Sequence, residues 1–157
     1  MNCVIREARP GEEVPLEDFL YLAIFVPEGE EPPPRSILQK PELRVYVDHF
    51  GEGIADMCVM AEAEGTAVGA AWSRIMDDYG HVDDDTPSLA VSLLPQWRGR
   101  GIGGALLEKL FRLLAQGGWR RVSLSVQMAN RAMHLYERLG FEIVEERDGE
   151  AIMVKEL

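Results

Sequence analysis

The alternation of apolar and polar positions divides the chain into segments with distinct periods. Val4–Arg9 reads as a short strand, ended by Pro10-Gly11. Leu16, Phe19, Leu20 and Ala23 recur at helical spacing, which predicts a helix over about 13–26. Pro27–Pro34, with three successive prolines and Glu28, Glu30 and Glu31, reads as a loop. A second helical region near 35–50 is interrupted at Pro41, a residue that suits the first turn of a new helical piece. Asp56–Ala63 and Thr66–Met76 are strand-like runs joined by the hairpin signal Glu64-Gly65. The acidic stretch Asp77–Pro87 reads as a loop or frayed strand end, and Ser88–Leu93 as a short strand buried in a sheet.

After a glycine-rich segment, Ile102, Ala105, Leu106, Leu110, Leu113 and Leu114 form a wide apolar stripe at period 3.6. Gly117-Gly118 stops that helix. Val122–Val126 is a strand. Ala129–Arg138 is a helix with Ala132, Leu135, Tyr136 and Leu139 expected inward and His134 outward, ended by Gly140. Phe141–Glu145 and Ala151–Lys155 are strands around the hairpin dipeptide Asp148-Gly149. The expected order is β-α-α-β-β-β-α-β-α-β-β. Strands separated by helices need crossovers, so part of the sheet is parallel. The expectation is one α/β domain over 1–157, a mixed, partly parallel central sheet flanked by about four helices.

Charge narrows the partners. The net charge is −11, which disfavours nucleic acid as the main ligand because phosphate neutralisation needs a basic surface. Residues 96–121 are locally basic: Arg98, Arg100, Lys109, Arg112, Arg120 and Arg121 face only Glu108, which suggests a local anionic ligand, with Lys109 and Arg112 reading as a solvated helix face. No apolar stretch approaches the ~18 residues of a membrane span. No secretory signal is read at the N-terminus, so no membrane partner and a cytoplasmic address are expected. Cys3 and Cys58 lack metal-ligand spacing and read as reduced buried thiols, and no zinc or calcium site is read.

The segment between the Ser88–Leu93 strand and the next helix carries the candidate chemistry. Glycines there let a ligand approach the backbone, and the first amides of a helix are unpaired and partly positive. Together they suit a phosphate. Gly99, Gly101 and Gly104 also satisfy G-x-G-x-x-G, a dinucleotide-binding pattern. That pattern needs an acidic residue about 20 positions on, and the window around Ser123–Val126 has none. A Walker-type loop fails for want of Gly-Lys-Ser/Thr. Tight helix–sheet packing remains a structural explanation of the glycines.

Gln96-x-x-Gly99-x-Gly101 resembles the acetyl-CoA motif of the GNAT N-acetyltransferases, (Arg/Gln)-x-x-Gly-x-(Gly/Ala). A second block, Asn130 to Phe141, resembles the family's N-x-x-A-x-x-L-Y-x-x-x-G-F stretch. The resemblance implies acetyl-CoA (or CoA) as co-substrate. The backbone from Arg98 through Gly99, Arg100, Gly101, Ile102, Gly103 and Gly104 would hold the pyrophosphate. The edge of Val91, Ser92 and Leu93 would pair with the pantetheine arm, and an N–H near Leu93 would polarise the thioester carbonyl. Asn130 would bond the pantetheine or phosphate region. Tyr136 would donate a proton to the departing thiolate, and its ring would fill the core.

Relatives often carry a glutamate at the start of the strand before the glycine segment. Here Pro87-Ser88-Leu89 stands there, so His81, Asp83, Asp84 and Asp85 are candidates for a base acting through water. The acceptor side would draw on Phe19, Phe25, Glu28, Glu30, Glu31, Tyr46, Trp72 and Arg74. The resemblance implies direct transfer to a primary amine of a small molecule or peptide, and leaves a homodimer open. The rival reading is a non-catalytic acyl-CoA-binding regulatory module, kept open by Ser88.

Overall fold

The computed structural model describes residues 2–157. Seven strands form one sheet: β1 (Val4–Glu7), β2 (Met57–Ala63), β3 (Thr66–Arg74), β4 (Ser88–Leu93), β5 (Arg121–Gln127), β6 (Glu142–Arg147) and β7 (Glu150–Glu156). Their spatial order is β1-β2-β3-β4-β5-β7-β6. Four helices flank it: α1 (Leu16–Ala23), α2 (Pro41–Arg44), α3 (Ile102–Gln116) and α4 (Ala132–Arg138). The element order and the mixed sheet follow the expectation. The one parallel neighbour pair among the described strands is β4 with β5.

The two expected hairpins form at the expected dipeptides. Glu64 and Gly65 have φ of 52° and 77°, and Asp148 and Gly149 have 50° and 81°. Paired positive φ values match the right-handed twist of the flanking strands.

Each face of the sheet has its own core. On one side α3 and α4 cover Val59, Ala71, Leu89, Val122, Leu124 and Met153. On the other, α1 and the segment after it cover Cys58, Ala70 and Trp72. Six residues of α3 are buried, among them Leu107 and Phe111, which widen the predicted stripe. Burying each of these large side chains contributes about 1.5–3 kcal/mol. Ala105 and Leu113, expected on that stripe, are only half-buried at its margins.

Two expectations are corrected. The helical region of 35–50 is a 3₁₀ turn at Arg35–Gln39, the four-residue α2, and turns. Pro41 is the first residue of α2, consistent with its lack of an N–H. In α4 the fully inward residue is Met133; Ala132, Leu135, Tyr136 and Leu139 are half-buried. β6, expected at about 141–145, forms over Glu142–Arg147 as an edge strand whose residues are all exposed. Both cysteines are free thiols, and burial pushes Cys58 up to about 12. Among the described residues, no helix is long and apolar enough to cross a membrane.

Candidate active site

The sheet opens between its two central strands. β4 pairs with β3 along its whole length, from Arg74↔Ser88 to Gly69↔Leu93. Against β5 it pairs only at Ser88↔Ser123. Beyond that point the strands diverge and leave one edge of β4 bare. Backbone groups alternate sides along a strand. Pro87 accepts from the Ser123 N–H, and Leu94 donates to Val68 at the start of β3. The odd positions Val91 and Leu93 therefore aim their N–H and C=O groups into the opening.

Ser92 points elsewhere. Its backbone bonds face β3, and its buried hydroxyl donates to the Phe19 carbonyl at 2.6 Å, fastening α1 to the sheet.

The glycine segment sits at the bare end of β4. Gly99 and Gly101 have φ of 73° and 81°, where a Cβ would be strained. These left-handed steps turn the chain out of the 3₁₀ turn Pro95–Trp97 and into α3, with Gly101 as its N-cap. No side chain caps α3, and no acidic residue lies in its first turn. The amides of Gly99 through Gly104 have no backbone acceptor among the described residues, whereas Arg98 donates its N–H to Pro95. The Arg98 guanidinium leans back, donating to the carbonyls of Leu93 at 3.3 Å and Leu22 at 3.5 Å. Arg100 stacks over Trp97, 5.0 Å from the ring centre.

Packing does not explain the next two glycines. A Cβ on Gly103 would meet Leu135 and Leu93 at 3.9 Å, and one on Gly104 would meet Leu135 at 3.8 Å. These are ordinary contacts that alanine would satisfy.

A cavity of about 290 Å³ passes through the opening. Asn130 and Tyr136 line it beside Val91 and Val126. Asn130 accepts the Ala132 N–H at 2.9 Å through Oδ1, which fixes the entry to α4 and leaves its amide N–H groups available. The Tyr136 ring packs edge-on against Phe141 with centres 5.9 Å apart. Burial alone pushes its phenol up to about 12, so the hydroxyl stays protonated across the neutral range.

The opposite face contributes Phe25, Glu42, Tyr46, Tyr79, Ser125 and Glu150. Tyr46 follows α2 and is held from β3. Trp72 donates its indole N–H to the Tyr46 carbonyl at 3.1 Å. Arg74 donates to the carbonyls of Val45 at 3.0 Å and Asp48 at 2.8 Å, and pairs with Asp56. Trp72 and Arg74, expected as acceptor contacts, instead brace the segment that carries one.

The Tyr46 hydroxyl donates to Asp78 Oδ2 at 2.9 Å, and the Ser88 hydroxyl donates to Asp78 Oδ1 at 2.9 Å. A carboxylate thus stands bonded to the position where the resemblance led us to expect one. Burial raises the Asp78 carboxyl above its ordinary value despite these two bonds. Burial first, then the Asp78 charge, pushes the Tyr46 phenol well above its own. The loop bearing Asp78 crosses β5 closely at Gly80. A Cβ there would lie 3.0 Å from the Leu124 carbonyl carbon, and Ser123 Oγ donates to the Gly80 carbonyl at 2.6 Å.

The other acidic candidates of this loop do not reach the cavity. Asp83 caps its own turn through Asp85 and Thr86 and pairs with Arg121 at 2.5 Å. Asp84 is 93% exposed, with His81 beside it at 3.6 Å. Glu28, Glu30, Glu31 and Phe19 do not line the cavity either. Asp78 lies in an irregular loop with no periodic signal, and Glu150 lies beside a turn. Alternation along β7 was the available signal for Glu150.

The acetyltransferase (GNAT) family pattern matches residues 21–141. The chain is 34% identical over 91 residues to a mycothiol acetyltransferase of Propionibacterium freudenreichii subsp. shermanii, covering 57% of this chain but 28% of that protein. The fold superposes on PaiA N-acetyltransferase of Thermoplasma acidophilum in complex with coenzyme A, with a TM-score of 0.71 and 19% identity over 100% of both chains. It also superposes on a GNAT acetyltransferase of Elizabethkingia anophelis with acetyl-CoA bound, with a TM-score of 0.65 and 17% identity over 99% of both. The family match runs from within α1 through the splayed β4–β5 edge and the uncapped α3 to the end of α4, and the chain belongs to the GNAT family of acetyltransferases.

Proposed function

We propose that this chain transfers an acetyl group from acetyl-CoA directly to a primary amine of a small molecule or peptide. The observation that carries this reading is the cavity through the β4–β5 opening, which joins Tyr136 on one face to an acidic, aromatic-lined space on the other. The unpaired amides of Gly99–Gly104 suit the pyrophosphate, and the edge groups of Val91 and Leu93 suit the pantetheine arm. The free N–H groups of that edge also suit the oxyanion that forms at the thioester carbonyl. Such donors are worth roughly 3–4 kcal/mol in other acyl-transfer enzymes.

Tyr136 serves as the proton donor to the leaving sulfur. Burial raises the phenol to about 12, above a thiol near 8.5 in water, so full transfer to a solvated thiolate would run uphill. The thiolate forms in the same desolvated opening, which raises its proton affinity too and narrows that gap. Asp78 and Glu150 give the acceptor side the negative charge that Ser88 lacks.

Thermal denaturation with CoA, acetyl-CoA, NAD and ATP tests the donor half of this reading. Stabilisation by the two CoA species alone is expected. A response to NAD or ATP and none to CoA would refute it. CoA binding without turnover on any amine would instead favour an acyl-CoA-binding module.

A further inference from the structure

Glu150 is a cavity carboxylate with no hydrogen-bond or ion-pair partner among the described residues. It opens β7 and pairs with Gln127 of β5. Alternation places Ala151 and Met153 in the α3-side core, so Glu150 and Ile152 face the α1 side. No lysine or arginine among the described residues lines the cavity. Burial raises the Glu150 carboxyl above its ordinary value, and the charges of Asp148 and Asp78 add to that.

The groups around it are Asp78 from the β3–β4 loop, Tyr46 and Glu42 from the α2 region, Tyr79, Asp148 in its own hairpin, and Tyr136 from α4. None is cationic. Asp78 already receives bonds on both oxygens, from Ser88 and Tyr46. Glu150 lines the cavity and has no ion-pair partner among the described residues.

We infer that Glu150 is the base that takes the proton from a cationic primary amine, with Asp78, pinned by Ser88 and Tyr46, as a positioning charge that keeps Glu150 basic. This inference rests on the transferase reading above. The ammonium gives one proton to the Glu150 carboxylate. The freed lone pair forms the N–C bond at the thioester carbonyl. The C–S bond then breaks with its electrons on sulfur, which takes the Tyr136 proton. The proton shed as the nitrogen becomes an amide returns to Tyr136 through water. Glu150 later releases its proton to solvent, so one thioester and one ammonium give one amide, one thiol and one proton. A base raised toward neutrality suits this step.

The test uses the full chain and whichever amine turns over fastest in a panel of n-alkylamines, diamines and amino-acid amides. Thiol release is followed from pH 5.5 to 10 in wild type, E150Q, E150D and D78N. E150Q is expected to lose about 10²-fold or more in kcat at neutral pH, with the KM for acetyl-CoA unchanged. That loss should shrink as pH rises and the free amine appears unaided. E150D should recover part of it. D78N removes a neighbouring negative charge, so its acid limb should move to lower pH. CoA-induced stabilisation in each variant reports that the fold is intact.

Wild-type kcat in E150Q, a change in amine KM alone, or a loss equal at every pH would overturn the inference while the transferase reading stands. An unmoved acid limb in D78N would remove Asp78 from it. A wild-type enzyme inert on every amine would overturn the transferase reading, and this inference with it.

Discussion

Replacing Gly103 with alanine separates the two explanations of the glycine run. In the folded chain the new methyl would sit 3.9 Å from Leu93 and Leu135, so it costs nothing sterically. Gly103 lies in the first turn of α3 without a positive φ, where alanine is favoured by up to about 1 kcal/mol. For a domain of this size that raises Tm by roughly 2–4 °C. The methyl stands beside an amide assigned to the pyrophosphate. Losing one charge-assisted hydrogen bond costs about 1.5–3 kcal/mol, roughly 10- to 150-fold in Kd.

The paired expectation is a more stable unliganded protein that binds CoA more weakly, read by thermal denaturation and titration calorimetry. A stabilised variant with unchanged CoA affinity would refute the view that Gly103 is kept for ligand approach. A destabilised one would show that packing demands glycine after all.

Gly80→Ala should press on the β5 backbone and displace the Asp78 loop, lowering turnover while CoA affinity, measured by calorimetry, holds. Asp78 bears on stability with a definite sign. Its folded value lies above its unfolded one, so the folded chain holds that proton longer and loses stability as pH rises through the raised value. D78N should therefore melt higher than wild type at neutral pH, with the gap closing as pH falls toward about 4. Trp72→Phe strips the Tyr46 carbonyl of its buried donor and should cost about 1–3 kcal/mol in urea unfolding, with a fall in turnover.

Much of the fold was legible because each element carried its own period or stop signal. The spacing along α3 is a case in point: Ile102, Leu106, Leu110 and Leu114 repeat at the helical period, and all four are buried. Glu64-Gly65 and Asp148-Gly149 marked hairpins through the backbone freedom they need. The segment 35–50 was not legible, because its apolar residues serve turns pinned from β3 by Trp72 and Arg74. Those contacts link residues more than 25 positions apart.

The cofactor side of the candidate site could be read because Gly99–Gly104 and Asn130–Phe141 are local motifs. On the acceptor side only Phe25 and Tyr46 among the residues named from the sequence line the cavity. Ser88 read alone was a missing glutamate, and its meaning depends on Asp78, ten residues away and joined to it by one hydrogen bond. Glu150 enters the cavity only because β7 lies between β5 and β6 in the sheet.

If acetyl passes through the β4–β5 opening with Tyr136 as the proton donor, removing that hydroxyl must slow thiol release. The most direct test is the rate of CoA thiol release from acetyl-CoA with the amine panel, in wild type and Tyr136→Phe. Amine-dependent release is expected in wild type, with a loss of about 10²-fold or more in the variant and CoA affinity retained. Equal rates in the two proteins, or CoA binding with no amine-dependent release in either, would contradict transfer by this route.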